Sequence, residues 1–156
     1  MIFYHGTVKA YLPEIMKEGL KPCPEHAWIA KGTGDVKGTS LTPEGDKYVF
    51  LTMDERFAAE IAISKAEYLG MKKGQEGSFF YLKKDTDEVV ITEPVLLKIT
   101  VPEAEAKKEF EVDPASQSEL GLRYEGVIPP KYISQTDEAK LKAYKQAITE
   151  LVKETK

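Results

Sequence analysis

Two short runs of β-prone residues each lead, within a few positions, into apolar residues that repeat at helical spacing, and this order sets the class of fold available to the chain. The first run, Ile2 to His5, is followed by Tyr11, Leu12, Ile15, Met16 and Leu20. Pro13 fits only the first turn of that helix, and Gly19 stops it. The second run, Tyr48-Val49-Phe50-Leu51, passes into Thr52-Met53-Asp54-Glu55, where Thr52 and Glu55 stand at capping-box spacing. A helix follows, striped by Phe57, Ala58, Ile61, Ala62 and Leu69 and ended by Gly70; small residues at 58, 59 and 62 suit close packing on a sheet.

Further strands are predicted at Ser78 to Leu82, Glu88 to Thr92 and Val95 to Val101, the last bracketed by Pro94 and Pro102. The charged segment Glu103 to Glu119 contains a short strand at Phe110 to Val112 and then a loop from Asp113 to Leu120. Gly121 to Ile128 reads as a strand stopped by Pro129-Pro130. A terminal helix starts near Thr136, with Asp137 and Glu138 in its first turn and Leu141, Tyr144, Ile148, Leu151 and Val152 along one face. Together these elements imply an α+β fold. Lys21 to Lys47 is rich in Gly, Pro, Thr and charge and reads as a long loop, in which Trp28 is a packed aromatic and His26 a surface imidazole.

A length of 156 residues with 42% hydrophobic and 31% charged side chains fits one domain spanning 1–156. The formal charge of -4 argues against a protein held to nucleic acid mainly by phosphate neutralisation. Only Arg56 and Arg123 supply guanidinium groups, which counts against a mechanism needing several arginine forks on a phosphate. A single cysteine, Cys23, rules out an intramolecular disulfide and any multi-cysteine metal centre, and with His5 and His26 the only histidines no metal site is expected. No apolar run approaches a membrane span and no signal-like segment opens the chain, so a cytoplasmic protein without a membrane partner is expected.

Phe3-Tyr4-His5-Gly6-Thr7 is the stretch richest in chemistry. A strand that delivers His5 to its end, followed by a glycine whose backbone can be approached closely, makes a compact polar grip for a flat amide-bearing ligand. A lone histidine beside an apolar run is more often a structural residue. Likewise Glu125, late in the chain, is either a solvent-facing edge residue or a catalytic carboxylate.

In order, the segments are strand-His5-Gly6-Thr7-helix, strand-Phe50-Leu51-Thr52-capped helix, and a late strand carrying Glu125. The combination resembles the ADP-ribosyltransferase fold, in its branch with a histidine, an aromatic and a glutamate, typified by diphtheria toxin and the poly(ADP-ribose) polymerases. The resemblance implies a split β-sheet core with a few packed helices and a C-terminal helix, and NAD held as substrate in the split. It also implies transfer of ADP-ribose to a protein or nucleic-acid acceptor that the sequence does not identify. On this reading Glu125 and His5 are catalytic, and His5, Gly6, Thr7, Phe50 and Thr52 contact NAD. Phe50 stands where this branch usually has tyrosine, and Ile61 where a second tyrosine is usual, so the aromatic sandwich around nicotinamide is one-sided unless Tyr48, Phe57 or Tyr68 turns in. Arg123 occupies the place two residues ahead of the catalytic glutamate where arginine-modifying toxins carry a glutamate, and Gln117 or Glu119 are candidates on the acceptor side.

The first segment with Gly19-Leu20 and Pro22, and Gly126-Val127 leading to Ile128-Pro129-Pro130-Lys131-Tyr132-Ile133, also resemble the RNA 2′-phosphotransferases. Those enzymes carry an extra amino-terminal lobe and several arginines. Other readings are an NAD glycohydrolase and a module that binds NAD, ADP-ribose or a partner without turnover.

Overall fold

A computed structural model describes residues 1–22, 48–77, 83–84, 86–112 and 121–154. The loop expected at 21–47 (apart from its first two residues), the strand at 78–82 and the candidates Gln117 and Glu119 lie outside them.

Among the described residues, six antiparallel strands form one sheet in the order β4-β5-β2-β1-β3-β6. They are β1 (Ile2–Val8), β2 (Tyr48–Thr52), β3 (Pro94–Thr100), β4 (Phe110–Val112), β5 (Gly121–Glu125) and β6 (Ile133–Gln135). The helices are α1 (Leu12–Glu18), α2 (Glu55–Gly70), α3 (Glu103–Glu109) and α4 (Glu138–Glu154). The architecture is thus α+β. None of the described helices is long and apolar enough to cross a membrane.

Strand alternation sends side chains to two different cores. On one face Phe3, Val49, Leu51, Val95, Leu97, Ile99 and Leu122 pack with Ile15 of α1 and Ala106 of α3. On the other, Leu96 packs with Ala58, Ala59 and Ile63 of α2 and with Leu141 and Ile148 of α4, with Tyr4 and Tyr144 at the margin. Leu151, expected on the buried stripe of α4, is exposed.

Glu55, in the first turn of α2, ties α2 to α4. Its carboxylate accepts from the Tyr144 hydroxyl at 2.7 Å and pairs with the Lys140 ammonium at 2.9 Å. Burial works against the ionised form, but hydrogen bonds from Lys140, Tyr144 and Tyr4 outweigh it and hold the carboxyl below its ordinary range. The Thr52–Glu55 capping box is therefore not formed. Asp54 is the N-cap and accepts from the Phe57 amide at 3.2 Å, while the Thr52 hydroxyl accepts from the Asp54 amide at 3.0 Å.

Other differences have local causes. α3 fills the start of a segment read only as charged, with no helix expected: Glu103 and Glu105 sit in its first turn, and Lys107 pairs with Glu103 at 3.0 Å. Glu88 to Thr92 is not a strand. Its backbone lies against the end of α2, the Val90 amide donating to the Leu69 carbonyl at 2.7 Å, and Ile91 is 85% exposed. β5 stops at Glu125 because Gly126 turns with φ +104, and Ile128 instead exchanges two 2.9 Å backbone bonds with Leu20. The two segments carrying the phosphotransferase resemblance thus meet. β6, which pairs with β3 over Ile133–Gln135, was not expected as a strand.

Gly6 lets α2 sit directly on β1. A Cβ there would collide with the Ala58 carbonyl oxygen and lie 2.7 Å from the Ala62 nitrogen, and neither backbone group can swing away. Gly6→Ala is expected to cost about 3 kcal/mol or more and to lower the melting temperature by roughly 6–12 °C for a chain of this size. Gly74, with φ +86 and nothing within 4 Å of a built Cβ, is the control; Gly74→Ala is expected to cost only about 1 kcal/mol of backbone strain. Equal losses in the two variants would refute the close-contact account.

Candidate functional site

β1 and β2 part company. β1 is paired along its length with β3, from Ile2↔Thr100 to Val8↔Pro94, and β2 with β5, from Tyr48↔Glu125 to Thr52↔Gly121. The two inner strands share only the register pair Tyr4↔Thr52. Past Tyr4 the ladder between them stops, and a side chain takes its place: His5 Nδ1 lies 2.7 Å from the Phe50 carbonyl oxygen. A ladder carbonyl points along the sheet toward its neighbour, so the imidazole is drawn to the level of the sheet, within the opening.

That bond sets the tautomer. A carbonyl only accepts, so Nδ1 carries the hydrogen and Nε2 of the neutral ring is left as an acceptor. Burial, together with the positive charge of Lys65, pushes the His5 pKa down to about 4, against the opposing effect of the Phe50 carbonyl. At neutral pH His5 is an uncharged acceptor.

The other sequence-predicted residues fall around this opening to different degrees. Phe50 shares the opening through its carbonyl, and its ring lies 6.3 Å from that of Tyr48. Glu125 is exposed at the end of β5, opposite Tyr48 and therefore two residues along β2 from the carbonyl that holds His5. Strand parity places Glu125, Arg123, Tyr48, Phe50 and Tyr4 on one face and would send His5 to the other; the bond to Phe50 is what holds the imidazole at the opening. Gly6 is buried beneath α2, so packing accounts for it without a ligand. Thr7 is 1% exposed within the sheet, and Thr52 is buried with its hydroxyl engaged in the turn before α2.

Two of the three candidates for a second aromatic wall are already occupied. The Arg123 guanidinium lies 4.4 Å from the Tyr48 ring centroid and pairs with Glu111 at 3.0 Å. The Lys84 ammonium lies 4.3 Å from the Tyr68 centroid and donates to the Tyr68 carbonyl at 3.1 Å. Phe57 is 47% exposed. Among the described residues, no group of three or more His, Cys, Asp or Glu side chains could hold a metal ion.

Lys65, whose ammonium lies 5.1 Å from the Tyr11 ring centroid, was not singled out from the sequence, and Tyr11 was read only as part of a helical stripe. The available signal was a lysine on the stripe Ala58, Ala62, Lys65, Leu69, where helical spacing otherwise places apolar residues.

No family model matches the chain, and no curated protein matches it.

His5 generates a pH dependence. Its folded pKa is lowered relative to the ordinary 6.5, so the unfolded chain binds the extra proton between about pH 4 and 6.5. The contribution is fully present above 6.5 and is lost as the pH falls through that window, by an amount on the order of 3 kcal/mol. His5→Gln, which keeps a donor for the Phe50 carbonyl, is expected to flatten the fall in melting temperature between pH 6.5 and 4. A titration of the His5 ring by NMR that gave an ordinary pKa would contradict the assignment.

Proposed function

We propose that the chain is an ADP-ribosyltransferase that binds NAD in the opening between β1 and β2, cleaves its nicotinamide–ribose bond and passes ADP-ribose to a macromolecular acceptor. The observation that carries this reading is the parting of two adjacent central strands after a single register pair, with a neutral histidine held in the gap. A sheet gains by completing its ladder, and a gap lined by an oriented acceptor is what a polar, hydroxyl-bearing ligand needs.

The chemistry follows from the residues. His5 Nε2 accepts a hydrogen bond from a ribose hydroxyl and so orients the sugar. The Phe50 ring offers a flat apolar face to the nicotinamide. Glu125 accepts from the ribose 2′-hydroxyl, and its negative charge stabilises the oxocarbenium ion that forms as the C1′–N bond breaks and its electron pair leaves with nicotinamide. The acceptor's nucleophile then bonds to C1′ and releases its proton.

A second reading, binding of NAD or ADP-ribose without turnover, is favoured by Ile61 at the second aromatic position and by the cations already on Tyr48 and Tyr68. Glu125→Gln separates the two. For the transferase, incorporation from labelled NAD in a cell lysate is expected to fall by about 10²–10³. Millimolar NAD should still raise the melting temperature of the variant, by roughly 5–10 °C if that concentration is about a hundred times the dissociation constant. Free ADP-ribose as the sole product would mean hydrolysis instead, and no NAD-induced shift in the wild type would end every NAD reading.

A further inference from the structure

Three strands set one row of side chains across the sheet. Arg123 on β5 stands directly opposite Glu111 of β4 and Phe50 of β2, and Glu125, two residues on, stands directly opposite Tyr48. The guanidinium does not stop at Phe50. Its Nε and a terminal nitrogen both donate to one Glu111 oxygen, at 3.1 and 3.0 Å. The group lies 4.4 Å from the Tyr48 ring centroid, a diagonal reach that a long side chain makes across an antiparallel pair. The Arg123 side chain is 17% exposed and that of Glu111 63%. A pair with one partner so exposed contributes little to stability, so its effect is on geometry: Glu111 holds the planar fork, and the fork holds the Tyr48 ring.

That ring carries a group the neighbouring aromatic lacks. Phe50 has no hydroxyl; Tyr48, on the same face of β2, has one, and the two rings are 6.3 Å apart and tilted by 48°. With Arg123 over one face, Tyr48 is poorly placed to stack on a flat ligand, which leaves its hydroxyl. Among the described residues, neither that hydroxyl nor the Glu125 carboxylate has a hydrogen-bond or ion-pair partner. Residues directly opposed in an antiparallel pair, as these two are, have their Cβ atoms about 5 Å apart. We infer that Tyr48 is a substrate-contacting residue, its hydroxyl hydrogen-bonded to the ribose that Glu125 also meets, and that Arg123, anchored by Glu111, is its positioning residue. The inference rests on the NAD reading and adds to it the source of a hydroxyl that Phe50 does not supply.

The test uses the whole chain, labelled NAD over a range of concentrations with a cell lysate, and the variants Tyr48→Phe, Arg123→Met, Arg123→Lys and the double variant Tyr48→Phe with Arg123→Met. Tyr48→Phe, which keeps the ring, is expected to lower the apparent kcat about five- to tenfold with the KM for NAD changed less than about twofold, the loss of one hydrogen bond that orients the sugar. Arg123→Met is expected to lose about as much, and Arg123→Lys, which keeps a cation over the ring, to recover most of it. Because Arg123 acts through the hydroxyl, the double variant should lose no more than Tyr48→Phe alone. A merely structural role gives independent losses that add. Should Arg123→Met not fold, the Tyr48 ring resonances of the wild type must still move when NAD is added, while those of Tyr132, whose hydroxyl is held by Glu105, stay in place.

Full activity in both Tyr48→Phe and Arg123→Met, beside an inactive Glu125→Gln, would overturn the inference and leave the transferase reading standing. Losses that add in the double variant would overturn the positioning role of Arg123. A wild type that transfers no label, but whose Tyr48 ring responds to NAD, would support the contact and end the turnover reading alone. A wild type that neither turns over nor binds NAD would overturn both.

Discussion

The seating of α2 on β1 at Gly6 is the contact on which the rest of the arrangement depends. Because a glycine occupies that position, the backbone of the helix reaches the strand directly, at the Ala58 carbonyl and the Ala62 amide. α2 follows β2 after only Met53 and Asp54, so a helix anchored on β1 also dictates where β2 can run. The two strands touch at Tyr4↔Thr52, beside the start of the helix, and separate beyond it. The same contact turns Lys65 toward the end of β1 and brings Glu55 to Tyr144 and Lys140 of α4.

Ionisable side chains with little exposure carry a desolvation cost, and three of them show how it is met. Glu55 has a lysine and two tyrosines. Lys84, 3% exposed, donates to the last turn of α2, where the helix dipole favours a cation, and lies against the Tyr68 ring. His5 resolves the same problem by staying neutral. Glu55 and Lys84 stand at the start and the end of α2, so the helix organises the electrostatics at both of its ends as well as the packing on its side of the sheet.

Much of this was legible in the residues. The helical stripes of α1, α2 and α4, the stop at Gly19 and the strands β1, β2, β3 and β4 follow from local periodicity and turn chemistry. The strand expected at Glu88 to Thr92 failed for a non-local reason: β-prone side chains form a strand only where a neighbouring edge is open, and this segment lies over the end of α2 instead. α3 was obscured because its burial rests on Ala106 alone among obviously apolar residues. Within the site, His5, Phe50 and Glu125 could be singled out by residue type and order. The packing demand on Gly6, the engagement of the Thr52 hydroxyl and the place of Lys65 could not, since each depends on which element lies opposite.

The amino-acid order alone determined the α+β class, the strand-to-helix passages around His5 and Phe50, and the scarcity of arginine and cysteine that removes whole classes of chemistry. These are properties of neighbours along the chain, set by spacing, capping and composition. Only the tertiary structure decided that β1 and β2 would part, that the His5 ring would bond the Phe50 carbonyl and so become a neutral acceptor, and that a lysine of α2 would be buried against the Tyr11 ring. Those outcomes depend on contacts between residues tens of positions apart, where a hydrogen bond or a charge has meaning only once its partner and its distance from water are known.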